Sequence, residues 1–297
     1  MKIASNKIAD IVRFFREELK GLYENGEIET FISYCFEAFI GMKRAAISIN
    51  ANTTVSESEL LKFNFAVKDL KRHKPIQYIL GEADFYGMKF YVNEHVLIPR
   101  PETEELVQLI SSEFGVRSSE FGAGRLSILD IGTGTGCIAI ALKKQIEDVD
   151  VYAIDVSQDA LEVAMKNAQK NTAGVKFYKH DILDDIASFP VSDVQFDIIV
   201  SNPPYIALSE KEQMDKNVTA YEPHIALFVD DNDPLLFYRA IADFALRHLK
   251  KSGKIYFEIN QKLGSETRKL LEDKGYSNVQ VLSDLNTNHR IVTATFK

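Results

Sequence analysis

From about residue 127 onward the chain alternates short β-favouring runs with stretches of helical length, and this alternation narrows the fold more than any other feature. Strand candidates fall at 127–131, 151–154, 175–178, 196–200 and 255–259, and helices fit at 137–146, 157–171, 234–249 and 264–274. Connections of this kind are right-handed crossovers, which give a parallel sheet covered by helices on both faces. Two last strands, near 278–283 and 290–296, are separated by only a short turn and should pair antiparallel. The expectation is an α/β protein with a doubly wound, Rossmann-like sheet that closes on an antiparallel hairpin.

The preceding third reads differently. Ile8, Ile11, Val12, Phe15 and Leu19 share one helical face, and similar patterns recur over 31–40 and 60–70, so residues 1–75 are expected to form a small helical domain. Residues 76–98, where Phe85 to Val92 alternate around Gly87, are expected to form a β-hairpin linker. A helix then opens after Pro99, with acidic residues in its first turn, and the sheet domain spans 99–297.

Composition excludes several function classes. A formal net charge of −8 provides no global basic field, so stable nucleic acid binding is not expected, although a local basic patch stays open. The two cysteines, Cys35 and Cys137, match no zinc spacing, and the six histidines show no paired spacing, so no metal is expected. The first residues lack a signal-peptide core and no apolar run reaches membrane-spanning length, which points to a cytoplasmic protein with no membrane association.

Four features stand where successive strands of the expected sheet end. The loop Gly132-Thr133-Gly134-Thr135-Gly136 follows the first strand and opens a helix, a context in which glycines let backbone approach a ligand. In the dinucleotide fingerprint the third glycine comes one residue later, where Cys137 stands, so the ligand need not carry a pyrophosphate. Asp155 ends the next strand, placed to bridge the hydroxyls of a ribose. Asp181 and Ile182 follow the third, an acceptor for an adenine amino group and an apolar neighbour for its ring.

The fourth is Asn202-Pro203-Pro204-Tyr205, a rigid turn whose Asn side chain and Pro203 carbonyl offer two acceptors, with Tyr205 as a flat wall. Together these suit a planar –NH2 group. Taken singly, each has a plainer account: a packing turn, a helix-capping Asp, a turn Asp, a proline-stiffened loop. Ligands of open α/β sheets bind along the carboxyl edge, and four such features on that edge point to an adenosine-bearing cofactor facing an amine or amide nitrogen.

The glycine loop with its acidic strand end resembles the class I S-adenosylmethionine-dependent methyltransferases, and Asn202 to Tyr205 resembles the motif of their amino-methylating branch. Pro75-Ile-Gln-Tyr-Ile-Leu-Gly81, Phe85-Tyr86-Gly87 and Val96-Leu-Ile-Pro-Arg-Pro-Glu-Thr-Glu104 closely resemble the release factor glutamine N5-methyltransferases, the PrmC/HemK family. The resemblance implies S-adenosylmethionine as cofactor, with Gly132 to Gly136 around its methionine moiety, Asp155 on the ribose, Asp181 and Ile182 at the adenine and Asn202 nearby. It implies that Asn202, Pro203, Pro204 and Tyr205 hold the glutamine amide of the GGQ motif of class 1 peptide chain release factors. The helical domain would help dock that partner, and a monomer is expected. Two loops depart from the family pattern, at 229–234 and 284–290, each lacking a customary glycine. The alternative is an N-methyltransferase acting on adenine or guanine of DNA or RNA, which the negative charge opposes. A dehydrogenase is opposed by the misplaced third glycine.

Overall fold

The computed structural model describes residues 3–114 and 125–297. Its contacts divide it into two compact units, 1–81 with 215–221, and 82–214 with 222–297.

The first unit is helical: α1 (Ile8–Leu19), α2 (Asn25–Ile40), α3 (Arg44–Ile49), α4 (Glu57–Leu70) and α5 (Ile76–Leu80). Its core is aromatic, with the Phe63 ring 4.7 Å from Phe36 and edge-on to Phe15 at 6.3 Å. A capping box starts α4: Ser56 accepts from the Glu59 amide, and Glu59 accepts from the Ser56 amide at 2.8 Å. Helix α5 corrects the expectation of a hairpin over 76–98. Pro75 precedes its first turn and Gly81 ends it in the left-handed region at φ +71°, the proline-start, glycine-end pattern of a helix.

In the second unit β1 (Glu82–Phe85) and β2 (Met88–Tyr91) pair antiparallel. Their turn residues, Tyr86 and Gly87, both have positive φ, as a two-residue hairpin of matching twist requires. The expected linker is therefore divided, its helix lying in the first unit and its hairpin in the second. Residues 96–98 are irregular rather than a strand, and α6 (Pro101–Phe114) follows.

The remaining chain runs β3 (Leu126–Ile131), α7 (Cys137–Gln145), β4 (Val149–Asp155), α8 (Gln158–Lys170), β5 (Val175–Lys179) and β6 (Phe196–Ser201). Next come β7 (Ile206–Ala207), α9 (Lys216–Tyr221), which belongs to the first unit, and β8 (Phe228–Val229). Last are α10 (Leu236–His248), β9 (Leu249–Glu258), α11 (Gly264–Asp273), β10 (Ser277–Ser283) and β11 (His289–Thr295).

Seven strands form one sheet in the order β10-β11-β9-β6-β3-β4-β5. Strands β5, β4, β3, β6 and β9 are parallel, and β11 is antiparallel to both of its neighbours. The doubly wound sheet with an antiparallel closing pair is as the sequence leads one to expect. The short β7–β8 pair was not legible in the sequence, and β9 starts at Leu249, inside the helix expected there.

Every residue of β3 is buried, and alternate side chains feed opposite cores. Ile128 belongs to one core with Leu106 and Ile110 of α6 and Ile140 of α7, whereas Leu129 belongs to another with Ile241 and Phe244 of α10.

A buried side chain joins the hairpin to the glycine loop. Asn167 of α8 is fully buried, accepts from the Tyr91 amide at 2.6 Å and donates to the Tyr91 and Thr135 carbonyls at 3.0 Å each. It thus does for the outer edge of β2 what a neighbouring strand would do. Removing it strands buried backbone groups, so Asn167→Ala is expected to cost about 3 kcal/mol, read as a lower urea midpoint at unchanged slope. A loss below half of that would show the backbone re-pairing with solvent.

Candidate active site

The sheet reverses its winding between β3 and β6, and the crevice at such a switch point is where ligands bind in open α/β folds. A cavity of about 330 Å³ opens there. Gly132, Gly134, Asp155, Asp181 and Ile182 line it from the β3, β4 and β5 ends, and Asn202, Pro203 and Pro204 from the β6 end. The Ser201 hydroxyl ties the two sides together by donating to the Ile131 carbonyl at 2.7 Å.

The glycine loop is anchored before any ligand is considered. The Gly132 and Thr133 amides both donate to the Ile154 carbonyl, and the Gly134 amide donates to Asp155 Oδ2 at 2.9 Å. Gly132 and Gly134 have positive φ, and a Cβ on either would point into open space. Gly136 plays a different part. At φ +79° it caps α7, and a Cβ there would stand 3.1 Å from Ile140 and 3.2 Å from Ala164, so its bareness lets α7 and α8 approach.

Four residues expected at the site therefore lie off the cavity wall: Thr133, Thr135, Gly136 and Tyr205. The threonines are 5% and 2% exposed, turned into the protein by the tight loop. The Tyr205 hydroxyl is drawn to Glu258 Oε1 at 3.3 Å, and its ring packs on the α10-side core.

Asp155 accepts from the Ser157 amide as well as from Gly134, which fixes its carboxylate at the cavity. Burial pushes this carboxyl above its ordinary range, and the backbone amides of Ser157, Gly134 and Val156 oppose the shift. Asp181 accepts from the Leu183 amide at 2.9 Å, which leaves its second oxygen available to a ligand. Ile182, Leu183 and Ala226 supply apolar wall beside it. These parts fit an adenosyl group: an open glycine cradle, a carboxylate for vicinal hydroxyls, and an acceptor with an apolar slot for a ring.

Several contributors to the cavity were given no place in it by the sequence. Val96 and Leu97 wall the cavity, and the irregular segment they belong to is held in place by Glu222. That residue, 4% exposed, accepts from the Ile98 amide and from Arg100 Nη2 at 2.6 Å. Burial raises the Glu222 carboxyl while Arg100 pulls it down. His180, also on the wall, donates its amide to the Asp155 carbonyl, and burial lowers its imidazole. Glu258 ends β9 just as Asp155 ends β4, so the strand-end rule would have found it.

Asp130 sits fully buried within β3 and receives the Thr133 hydroxyl at 2.6 Å, while Oδ1 has no partner of normal geometry. Burial pushes its carboxyl up to about 7, against the pull of Thr133 and the Ala139 amide. Its signal was an acid inside an otherwise apolar strand. From an ordinary value of 3.8, the folded protein keeps a proton that the unfolded chain releases between about pH 4 and pH 7. The raised carboxyl therefore stabilises fully below that window, and the contribution is lost as pH rises through 7. Asp130→Asn should gain stability relative to the natural protein as pH rises from 4 to 7 in paired urea titrations, whereas a flat difference rejects the shift.

Comparison with known proteins matches the chain to a family. A model of the methyltransferase small domain matches residues 118–220, and one of the PrmC N-terminal domain matches residues 10–81. A release factor glutamine methyltransferase of Flavobacterium psychrophilum is 46% identical over 95% of this chain and 97% of its own. Another, of Bacteroides thetaiotaomicron, is 38% identical over 96% of this chain and 98% of its own. Among solved structures, the hMettl16 catalytic domain in complex with a 3′UTR hairpin aligns over 83% of this chain and 85% of its own, with TM-score 0.54 and 15% identity. That likeness speaks for the fold alone. Identity at this level over nearly the whole length places the chain in the release factor glutamine methyltransferase family.

Proposed function

We propose that this enzyme transfers a methyl group from S-adenosylmethionine to the side-chain amide nitrogen, N5, of the glutamine in the GGQ motif of class 1 peptide chain release factors. The observation that carries the reading is the meeting of Asn202-Pro203-Pro204 with the Asp155 and Asp181 carboxylates at one cavity, in a chain of this family. The helical unit is taken as the part that docks the release factor. The reading also holds the enzyme to be a monomer of the cytoplasm without stable nucleic acid binding, which the net charge of −8 supports. Among the described residues no helix is long and apolar enough to cross a membrane, and no cluster of metal-ligating side chains occurs.

Residues take roles as follows. Asp155 holds the ribose hydroxyls, Asp181 and Ile182 hold the adenine, and the Gly132–Gly134 turn holds the methionine end. S-adenosylmethionine, when bound, supplies an electrophilic methyl on a sulfonium sulfur. An amide nitrogen is a weak nucleophile because its lone pair is delocalised into the carbonyl. Asn202 Oδ1 and the Pro203 carbonyl each accept one N–H of the substrate amide. Both acceptors favour the tetrahedral nitrogen and its growing positive charge as the N–C bond forms.

Alignment of this kind contributes roughly 7 kcal/mol, and each aimed acceptor about 3 kcal/mol. Pro204 stiffens the turn so that the two acceptors keep their spacing. The nitrogen's surplus proton passes to water after transfer, since the nearest carboxylate behind the motif, Glu258, is 1% exposed and already engaged by hydroxyl groups.

Offered labelled S-adenosylmethionine with release factor, DNA and tRNA in parallel, the enzyme should label the release factor alone. Label on nucleic acid alone would defeat the reading in favour of base methylation. Asn202→Ala should lower kcat by about 100-fold and leave cofactor binding within a few-fold; near-normal turnover in that variant would sink the mechanism.

A further inference from the structure

Behind the Asn202 turn lies a buried relay that the mechanism above does not use. Glu258 Oε2 accepts from the Thr103 hydroxyl at 2.7 Å, and Oε1 accepts from the Tyr205 hydroxyl at 3.3 Å. The Thr103 oxygen in turn stands 3.4 Å from Asn202 Nδ2, a long contact of hydrogen-bond sense. Thr103 is 3% exposed and Glu258 is 1% exposed, so water does not compete for these groups. Such a carboxylate is expensive to bury. Burial raises the Glu258 carboxyl, and the hydroxyl of Thr103 from the first turn of α6, the positive Arg290 of β11 and the hydroxyl of Tyr205 after β6 oppose that rise.

The relay has a direction. In its ionised form Glu258 carries acceptors only, and both hydroxyls stand as donors to it, Thr103 to Oε2 and Tyr205 to Oε1. Having donated its hydrogen, the Thr103 oxygen can only accept from its other neighbour. Asn202 therefore turns its NH2 end toward Thr103 and its carbonyl end away. A side-chain amide reversed about this axis would offer NH2 where the substrate also offers NH2. Two donors would then face each other, and the acceptor that the chemistry requires would be missing.

We infer that Glu258 and Thr103 are positioning residues that set which end of the Asn202 amide meets the substrate nitrogen, while Glu258 holds Tyr205 at the far end of the same turn. The inference rests on the function proposed above. It treats the buried glutamate as the origin of the site's selectivity for an –NH2 group: the glutamate dictates the threonine hydrogen, the threonine dictates the amide, and the amide presents an acceptor.

The test uses the full chain, the release factor and labelled S-adenosylmethionine, with Thr103→Val, Thr103→Ser and Glu258→Gln, all near-isosteric. Thr103→Val and Glu258→Gln should each lower kcat at least about 10-fold and leave the cofactor Kd within about twofold. Thr103→Ser, which keeps the hydroxyl, should stay within about threefold of the natural enzyme. Placed on Asn202→Ala, Thr103→Val should add almost nothing, because the group it orients is gone. A Thr103→Val loss that is equal with and without Asn202, or that is matched by lost cofactor affinity, would overturn the inference and mark a general packing role.

Crystal structures keep this outcome apart from the choice of substrate. Should the natural enzyme fail to label the release factor, the functional reading falls by itself. The positioning claim then stands if neutron diffraction from such crystals shows the Asn202 amide reversed in Thr103→Val and kept in Thr103→Ser, and falls if the amide keeps its natural orientation in both.

Discussion

A sheet strand buried on both faces has no side from which a polar group can reach water, and β3 is such a strand along its whole length. The polar chemistry of this protein is accordingly forced to where strands stop. Asp155 follows that rule at the end of β4, Asn202 just past β6 and Glu258 at the end of β9, on parallel strands of common direction, with β9 beside β6 and β3 between β6 and β4. The winding reversal between β3 and β6 opens the gap that these ends surround. Fold and site thus share one cause: burial of β3 on both faces leaves the strand ends as the place where polar side chains can meet a ligand.

The acids that do lie inside are each held by groups of matching character. Asp130 has the Thr133 hydroxyl, Glu222 has Arg100 and the Ile98 amide, and Glu258 has Thr103 and Tyr205. Removing a partner from such a group leaves an uncompensated buried charge, which is far more costly than losing a surface pair. Exposed pairs such as Lys269–Asp273 on α11 are worth little by comparison. Burial of apolar side chains in the three hydrophobic cores is the main source of stability.

Much of this was legible in the residues alone, because periodicity and strand-end polarity are local signals. The alternation after residue 127 carried the sheet, and the Asp155, Asp181 and Asn202 positions carried the cavity edge. What stayed hidden depended on tertiary partners. Helix α5 falls inside the span expected to be a hairpin linker because an apolar five-residue run has no decisive period, although Pro75 and Gly81 mark its ends. Gly136 looked like part of the ligand cradle, but its bareness answers to Ala164, a contact no local rule exposes. Tyr205 looked like a wall, and only the position of Glu258 explains why its hydroxyl turns elsewhere.

The side chain that joins β2 to the glycine loop has a thermodynamic consequence for the ligand. Asn167 grips the Thr135 carbonyl with the same amide that grips Tyr91, so the loop is braced against a hairpin and not merely against its own helix. A loop already confined in this way loses little freedom when a ligand settles on it, and the interaction free energy then appears as affinity instead of being spent on ordering. Pre-organisation here is delegated to an amide on α8 that never touches the cavity wall.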